Sequence, residues 1–334
     1  MKQEHIIIQM LYMKTWAYKI WYSAIRTIKM QWKAMISMVF AVIGGAFTIA
    51  EILNNVFDTK IGFQLMREYA THGLCITFVV SLVVFWKTLK YECFIGDGDR
   101  KITLRVCDIF HQKGALIIPT NTTFDTLMDD EFISVTSVQG QYQKKYHKHA
   151  LKQLDDALAR NLDGSPYMLL NDGRTTNKKR YPIGTISKIT RGTQHDYFLA
   201  IADINKFGKP ENVTYQSITS ALVSLWQELN KIGHLENIRI PIVGTGKAGL
   251  HDASRNQIIQ EIIFTFVVAA REMNVSENLI ICIHPSDFAN KNLHWDDLCD
   301  YLRYTCKYVN QQFGRPEGKP EGEYKGVPEN VVIF

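Results

Sequence analysis

Two stretches near the amino terminus of the 334-residue chain are almost wholly apolar. Residues 34–50 and 71–86 contain no Asp, Glu, Lys or Arg, and neither shows the periodicity of a helix with one polar face. With its flanks, each stretch reaches roughly 18 to 20 residues, about the length with which a helix crosses a bilayer. The pattern predicts a transmembrane helical hairpin over residues 34–90, with spans of about 34–54 and 71–89. Two buried helices of a soluble core are the alternative.

Basic residues predict the orientation of these spans. Six Lys or Arg residues precede the first span and five follow soon after the second, whereas the loop between them has only Lys60 and Arg67. The positive-inside rule then places both termini in the cytoplasm, so we expect a multi-pass protein of the inner (cytoplasmic) membrane. Residues 1–33 interleave aromatic and cationic side chains, which favours an amphipathic segment at the lipid headgroups. A partly buried helix that packs on the same chain or on a neighbour is the alternative.

Downstream of Tyr91 the pattern changes to alternating apolar strands and amphipathic helices. We expect strands over residues 102–106, 115–118, 181–190, 196–202 and 279–283 and one beginning at Ile238, with helices over 142–162, 215–232, 254–271 and 296–309. This alternation predicts an α/β domain over residues 91–310 with a central, largely parallel sheet covered by helices on both faces. Residues 311–334 are rich in Gly and Pro, which predicts a flexible carboxyl-terminal tail.

The strand that begins at Ile238 runs into a glycine-rich loop, Gly244-Thr245-Gly246-Lys247-Ala248-Gly249. Three glycines in six residues let the backbone turn sharply and present its N–H groups to a phosphate. Ser254 and Gln257 follow with the spacing of a helix capping box, and the start of a helix favours a nearby anion. We therefore predict that the loop binds phosphate. A strand-to-helix turn without a ligand is the alternative.

Two other phosphate-binding motifs fit this loop less well. A P-loop is excluded, because Pro241 and Ala248 occupy the positions of its first Gly and of its Ser or Thr. The spacing of the three glycines matches the dinucleotide-binding fingerprint. That motif, however, needs an acidic residue about 20 positions on, at the end of the next strand, and here this distance falls inside the predicted helix.

Cysteine, histidine and charge usage narrow the chemistry. The six cysteines form no CxxC pair and the ten histidines are scattered, so we predict reduced thiols, no metal site and no catalytic nucleophile. The net charge is +5, and lysines cluster in residues 144–152 and 178–179. Nucleic-acid binding is one interpretation of these clusters. We favour a solvated face, or a face toward anionic lipid, and expect no nucleic-acid partner.

Two motifs resemble a macro domain, the module that binds ADP-ribose. The pair Asp108-Ile109, the strand from Ala115 and the Asn121 that follows it resemble the opening of that domain, and residues 242–246 resemble its second, phosphate-binding loop. The resemblance covers roughly residues 102–309. It implies a macro-domain-like mixed, largely parallel sheet with helices on both faces.

The resemblance also implies roles for individual residues. Asp108 would receive the adenine amino group, Asn121 would bind the distal ribose, and Phe288, with His284 as second choice, would stack on the adenine. The implied ligand-binding set is Asp108, Asn121, Ser137, Gln139, Gly140, Gly244, Thr245, Gly246, Lys247, Ala248, Gly249, His284 and Phe288. Structural alternatives are a turn cap for Asp108, an Asx turn for Asn121 and core packing for Phe288.

One departure from the macro-domain pattern bears on activity. The family follows its Asn with a run of glycines that binds phosphate and positions a hydrolytic water, whereas this chain has Thr122-Thr123-Phe124-Asp125-Thr126. After an insertion, Gly140 would supply the missing close approach, and Ser137 or Gln139 a polar contact. We therefore expect no hydrolysis of ADP-ribosyl groups, no catalytic residue and no cofactor.

Two membrane helices joined to a diverged macro domain resemble the transmembrane–macro effectors of the Thoeris anti-phage system. The resemblance implies a partner TIR-domain enzyme that makes an ADP-ribose conjugate, of the histidine-ADP-ribose type, from NAD. The macro domain would bind the conjugate, and the chain would then form a homo-oligomer, disrupt the lipid bilayer and halt the infected cell. The alternatives are a membrane-tethered ADP-ribosyl hydrolase and a non-enzymatic reader of ADP-ribosylated partners.

Overall fold

The computed structural model describes residues 2–56, 61–96, 98–128, 132–173, 176–246, 249–290 and 293–312. Its first two helices, α1 (Lys2–Val56) and α2 (Ile61–Val84), pack against each other. The backbone N–H of Lys87 donates to Thr27 Oγ1 at 2.8 Å. Because α2 starts near the end of α1 and finishes near Thr27, the two helices run in opposite directions.

Helix α1 joins two segments that the sequence predicted as separate. It continues without a break from the expected headgroup segment, residues 1–33, into the first expected span. Thr15–Val56 is the one helical stretch in the described residues that is long and apolar enough to cross a membrane, and 6% of its most apolar window is buried. The second span stays a prediction. The expected tail lies outside the described residues beyond Gln312.

The described residues from Lys90 to Gln312 form an α/β domain. Its strands are β1 (Lys90–Phe94), β2 (Lys101–Val106), β3 (Ala115–Asn121), β4 (Met168–Leu169), β5 (Lys179–Arg180), β6 (Ile186–Arg191), β7 (Gln194–Ile204), β8 (Pro210–Glu211), β9 (Ile238–Pro241) and β10 (Asn278–Ile283). Its helices are α3 (Val138–Tyr146), α4 (Leu151–Asn161), α5 (Tyr215–Lys231), α6 (Arg255–Glu272), α7 (Pro285–Asn290) and α8 (Trp295–Gln312).

The main sheet has the strand order β1-β2-β10-β9-β3-β7-β6, with β8 paired to β7. Strands β2, β10, β9, β3 and β7 are parallel to their neighbours in this group, whereas β1 and β6 are antiparallel at the two edges. Strands β4 and β5 form a separate antiparallel pair. The expected mixed, largely parallel sheet is confirmed.

Helices cover both faces of this sheet. Successive residues of a strand point to opposite faces, so the contacts of one strand show which helices lie on each side. In β3, Ala115 and Ile117 belong to a core shared with α5, α6 and α8. Leu116 and Ile118 belong to a second core shared with α3 and α4. The side chains of this strand are therefore apolar on both faces, as expected for a central parallel strand.

Two of the predicted elements differ from the structure. The expected helix over residues 142–162 is two helices, α3 and α4, separated by a turn in which Ala150 N donates to His147 O at 3.0 Å. Lys148 and His149 in this turn are exposed, so no apolar face runs through it. The strand expected from Tyr181 begins only at Ile186, because the turn at Gly184 has a φ of 87° that a strand does not adopt.

Helix α1 also docks on the α/β domain. The ring of Tyr22 meets that of Phe288, in α7, edge-to-face with centroids 5.1 Å apart. Arg26 forms an ion pair with Asp296 at 3.6 Å and lies 5.9 Å from the ring centre of Trp295, both in α8. Part of the segment expected at the headgroups therefore packs on its own chain.

Candidate functional site

Five parallel strands end at one edge of the sheet, which we call the carboxyl edge. Asp108 follows β2, His284 follows β10, the glycine loop follows β9, and Asn121 is the last residue of β3. Because neighbouring strands lie about 4.8 Å apart, the three strand spacings between β2 and β3 place Asp108 roughly 14 Å from Asn121. Ligands of open α/β sheets bind at this edge. A ligand that reaches all four positions has to be elongated.

The glycine loop has the conformation that its glycines permit. Gly244 and Gly249 have φ angles of 76° and 71°, in the left-handed region. Leu250 N donates to Gly244 O at 3.3 Å and closes the loop. A Cβ atom added to Gly246 would meet no heavy atom within 4 Å, so the space beside the loop tip is open. Lys247 and Ala248, also expected to bind the ligand, lie outside the described residues.

Two helices begin beside this loop. The predicted capping box of α6 is present: Gln257 N donates to Ser254 Oγ at 3.2 Å, and Ser254 N donates to Gln257 Oε1 at 2.8 Å. Tyr215 N, at the first residue of α5, donates to Asp252 Oδ2 at 2.8 Å. The positive ends of both helix dipoles therefore lie near the loop. Because the Asp252 carboxylate already occupies the end of α5, the end of α6 is the one that favours a further anion.

Asn121 combines a structural role with a free donor. Its Oδ1 accepts hydrogen bonds from Thr123 N at 3.2 Å, Thr123 Oγ1 at 3.0 Å and Asp125 N at 3.1 Å, which is the Asx turn. The side chain is buried, and Nδ2 has no hydrogen-bond partner among the residues that the structure describes. An unsatisfied buried donor costs about 1–3 kcal/mol. The amide is thus poised to donate to a ligand hydroxyl.

The segment after Asn121, residues 122–126, is buried throughout. Gln139 Nε2 donates to Asp125 O at 2.8 Å, and Gln143 Nε2 donates to Thr126 O at 2.7 Å. These two amides, from one face of α3, hold the segment that stands where a macro domain has its glycine run. The ligand contact expected from Gln139 stays a prediction.

Ser137 and Gly140 also have structural roles at the start of α3. Ser137 Oγ caps the helix by accepting from Gly140 N at 3.0 Å. A Cβ atom on residue 140 would lie 2.1 Å from Ser134 O, so the close approach of these two segments requires glycine. Their contacts with a ligand stay predictions.

The residues expected near adenine follow the carboxyl ends of β2 and β10. Asp108 accepts from Phe110 N at 2.9 Å and so caps a short 3-10 turn. His284 Nδ1 lies 2.6 Å from Oγ of Ser286, the second residue of α7. Phe288 is 4% exposed, and its ring contacts Tyr22 and Trp295. These contacts correspond to core packing, the alternative given above for Phe288. Stacking on adenine is untested and would require the ring to be uncovered.

Arg255, the first residue of α6, is a site residue that the sequence analysis missed. Its Nη2 donates to Thr245 O in the glycine loop at 2.8 Å, and its Nε lies 3.4 Å from Asp287 Oδ1 in α7. The sequence carried one signal for it. A cation in the first turn of a helix opposes the helix dipole unless an anion accompanies it.

Two thiols lie close to Asp108: Cys107, the residue before it, and Cys282 in the neighbouring strand β10. A hydrogen bond with Cys107, together with burial, raises the pKa of Cys282, and the same hydrogen bond lowers the pKa of Cys107. Both side chains are buried, so neither thiol is accessible as a nucleophile. In the described ranges, no group of three or more His, Cys, Asp or Glu residues could hold a metal ion.

Comparisons with known proteins agree with this architecture. Residues 102–284, more than half of the chain, match the family model described as "Thoeris protein ThsA, Macro domain". Thoeris protein ThsA of Bacillus amyloliquefaciens (strain Y2) is 23% identical over an alignment of 231 residues, and the alignment covers 66% of this chain and 74% of that protein.

Two solved structures that match the chain are less similar to it in sequence than this relative is. A variant Oceanobacillus iheyensis macrodomain with ADPR is 13% identical with a TM-score of 0.43, and the alignment covers 66% of this chain and 99% of that one. A Trypanosoma brucei macrodomain in complex with ADP-ribose is 12% identical with a TM-score of 0.38, and the alignment covers 60% of this chain and 67% of that one.

The match over residues 102–284 and the sheet it covers define the α/β domain as a macro domain. Within that class, the chain belongs to the Thoeris ThsA macro-domain family.

Proposed function

We propose that this protein is a membrane-anchored sensor whose macro domain binds an ADP-ribose derivative, of the histidine-ADP-ribose type, in Thoeris defence. One observation carries the proposal. Asn121, the last residue of β3, has a buried Nδ2 without a partner among the described residues. The glycine loop, with open space at its tip, follows the neighbouring strand β9. An amide that can donate to a ligand hydroxyl, next to a loop that can bind phosphate, suits a ribose linked to a diphosphate.

The backbone of residues 122–125 supports binding without turnover. Thr122 N donates to Ala202 O, Phe124 N donates to Asn121 O, and Asn121 Oδ1 accepts from Thr123 N and Asp125 N. Because the protein itself uses these four N–H groups, they are not available to bind a phosphate oxygen or to position a water. We therefore propose that the ligand acts as a signal and is not hydrolysed.

The amino-terminal helices support a role at the membrane. Many large apolar side chains of α1 and α2 are exposed, among them Phe40, Phe47, Ile76 and Val79. Lipid or other copies of the chain would cover them. We propose that a partner TIR-domain enzyme supplies the ligand and that ligand-bound chains assemble and disrupt the bilayer. A ligand shifts such an equilibrium only by binding the assembled state more tightly.

Calorimetry on the full-length protein in detergent, with ADP-ribose and with histidine-ADP-ribose, tests the binding step. We expect Gly246→Glu to keep its thermal stability, because the added side chain enters open space. Its carboxylate would repel the diphosphate and weaken binding by about a hundredfold, or roughly 2.7 kcal/mol. Gly246→Ala is the matched control for side-chain volume, with a smaller loss. If the wild-type protein binds neither compound, the proposed function is wrong.

The two rival functions predict other outcomes in the same preparation. A hydrolase would release ADP-ribose from an ADP-ribosylated protein, and we expect no release. A reader of ADP-ribosylated partners would bind the ligand without any change in oligomeric state, whereas we expect ADP-ribose derivatives to shift the protein to larger assemblies in light scattering.

A further inference from the structure

We infer that Arg255 transmits ligand binding from the glycine loop to α1, an inference that rests on the proposed function. Arg255 lies between the two structures that such a signal has to connect. One end of its guanidinium donates to Thr245 O in the loop, and Nε faces Asp287 of α7 at 3.4 Å. Its side chain is 21% exposed and that of Asp287 is 28% exposed, so water screens this ion pair only in part.

Helix α7 carries the connection to α1. Asp287 is followed by Phe288, whose ring lies 5.1 Å from that of Tyr22 and 6.0 Å from that of Tyr18, centre to centre. Both tyrosines belong to α1, which runs on into the expected membrane span. Packed contacts therefore lead from the loop through Arg255, Asp287 and Phe288 to α1.

A diphosphate in the loop would compete with Asp287 for Arg255. The Nε of Arg255 is buried and makes no hydrogen bond to any residue that the structure describes, so the hydrogen-bonding capacity of the guanidinium is not filled. Guanidinium groups bind phosphate through two parallel hydrogen bonds, which are stronger than one ion-pair contact. When Arg255 turns to the phosphate, Asp287 loses its partner and faces the negative charge of the ligand. Asp287 and α7 are then displaced, and the contact of Phe288 with α1 is weakened.

Hydrogen exchange on the full-length protein in detergent, with calorimetry alongside, tests this connection with ADP-ribose as the probe. We expect saturating ADP-ribose to speed amide exchange in residues 15–30 and 285–290 of the wild-type protein. Arg255→Gln should bind ADP-ribose at least about tenfold more weakly, and at saturation its exchange should not change. Asp287→Asn should exchange quickly in residues 15–30 without any ligand and should bind ADP-ribose at least as tightly as the wild-type protein.

Two further variants separate this role from general effects. Arg303→Gln removes the same charge from an ion pair with Asp300 on an exposed part of α8, and it should behave as the wild-type protein. Arg255→Lys keeps the charge without the planar fork, so it should bind at intermediate strength and give a reduced exchange response.

The inference is overturned if wild-type protein binds ADP-ribose and Arg255→Gln shows the same affinity and the same exchange response. Unchanged exchange in ligand-free Asp287→Asn would overturn it as well. These outcomes differ from failure of the proposed function, in which the wild-type protein itself binds neither ADP-ribose nor histidine-ADP-ribose.

Discussion

The side-chain amide of Asn121 has two ends with different partners, and this division makes its role testable. The oxygen holds the turn over Thr123 and Asp125, whereas the nitrogen has no partner among the described residues. A residue kept only for the turn would need the oxygen alone. The buried, unused nitrogen is the part of this residue that indicates a ligand.

Asn121→Ala and Thr123→Val separate the two roles. Asn121→Ala removes the donor and the turn, so we expect ADP-ribose affinity to fall by about tenfold or more and stability by about 1–3 kcal/mol. Thr123→Val removes a hydroxyl that contacts Asn121 Oδ1 and also donates to the buried Asp125 carboxylate, so stability should fall by about 1–3 kcal/mol with affinity nearly unchanged. Calorimetry and urea unfolding measure both. An equal loss of affinity in the two variants would show that Asn121 only shapes the turn.

Single residues also show where sequence reasoning ended. The positions of Asp108, Asn121 and the glycine loop could be predicted because each follows directly from the end of an apolar strand. The sequence carried a signal for Arg255 but not for its contacts with Thr245 and Asp287, since these depend on how α6 and α7 pack together. The covering of Phe288 by α1 was likewise hidden, because the two segments are far apart in the chain.

At the scale of elements, segments with a strong local signal were predicted closely, whatever their length. The capping box of α6 and the strand β10 lie within a residue of their expected positions, because local capping defines the one and a continuous apolar run the other. Strand β1 and helix α7 were missed, since neither short segment has an apolar run or a full helical period. Helix α7 matters most among these, because it lies between the site and α1.

Phe288→Leu tests what this short helix contributes. The ring is 4% exposed and packs against Tyr22 and Trp295, so a smaller apolar side chain should lower stability by about 1–2 kcal/mol and loosen α1. ADP-ribose affinity should stay within about threefold of the wild-type value. Thermal unfolding and calorimetry measure these two effects. A tenfold loss of affinity in a folded variant would instead show that the ring stacks on the adenine in the bound state.

At the scale of the whole molecule, the macro domain and the amino-terminal helices meet at the carboxyl edge of the sheet. Helix α1 touches α7, which directly follows β10, and so it lies on the same edge as Asp108, Asn121 and the glycine loop. The sequence predicted the two parts separately and could not predict that contact, because the docking of α1 joins residues far apart in the chain, such as Tyr22 and Phe288. Under the proposed function, this contact would let a ligand at the carboxyl edge act on α1 without an additional protein.

Reactivity of Cys75 tests whether α2 lies in the membrane. Its side chain is exposed on α2, so a water-soluble helix would leave it open to reagents. In sealed inside-out vesicles, which expose the expected cytoplasmic side, we expect a membrane-impermeant maleimide to label Cys75 at least about tenfold more slowly than a cysteine in water, because lipid excludes the polar reagent. The experiment uses a Cys93→Ser background, since Cys93 is only half-buried and could react. Cys299 can stay, because burial raises its pKa to about 12 and keeps it unreactive. Asp163→Cys, at an exposed turn after α4, provides the fast control. Equal rates at the two positions would show that α2 is in water and that the chain does not cross the bilayer twice.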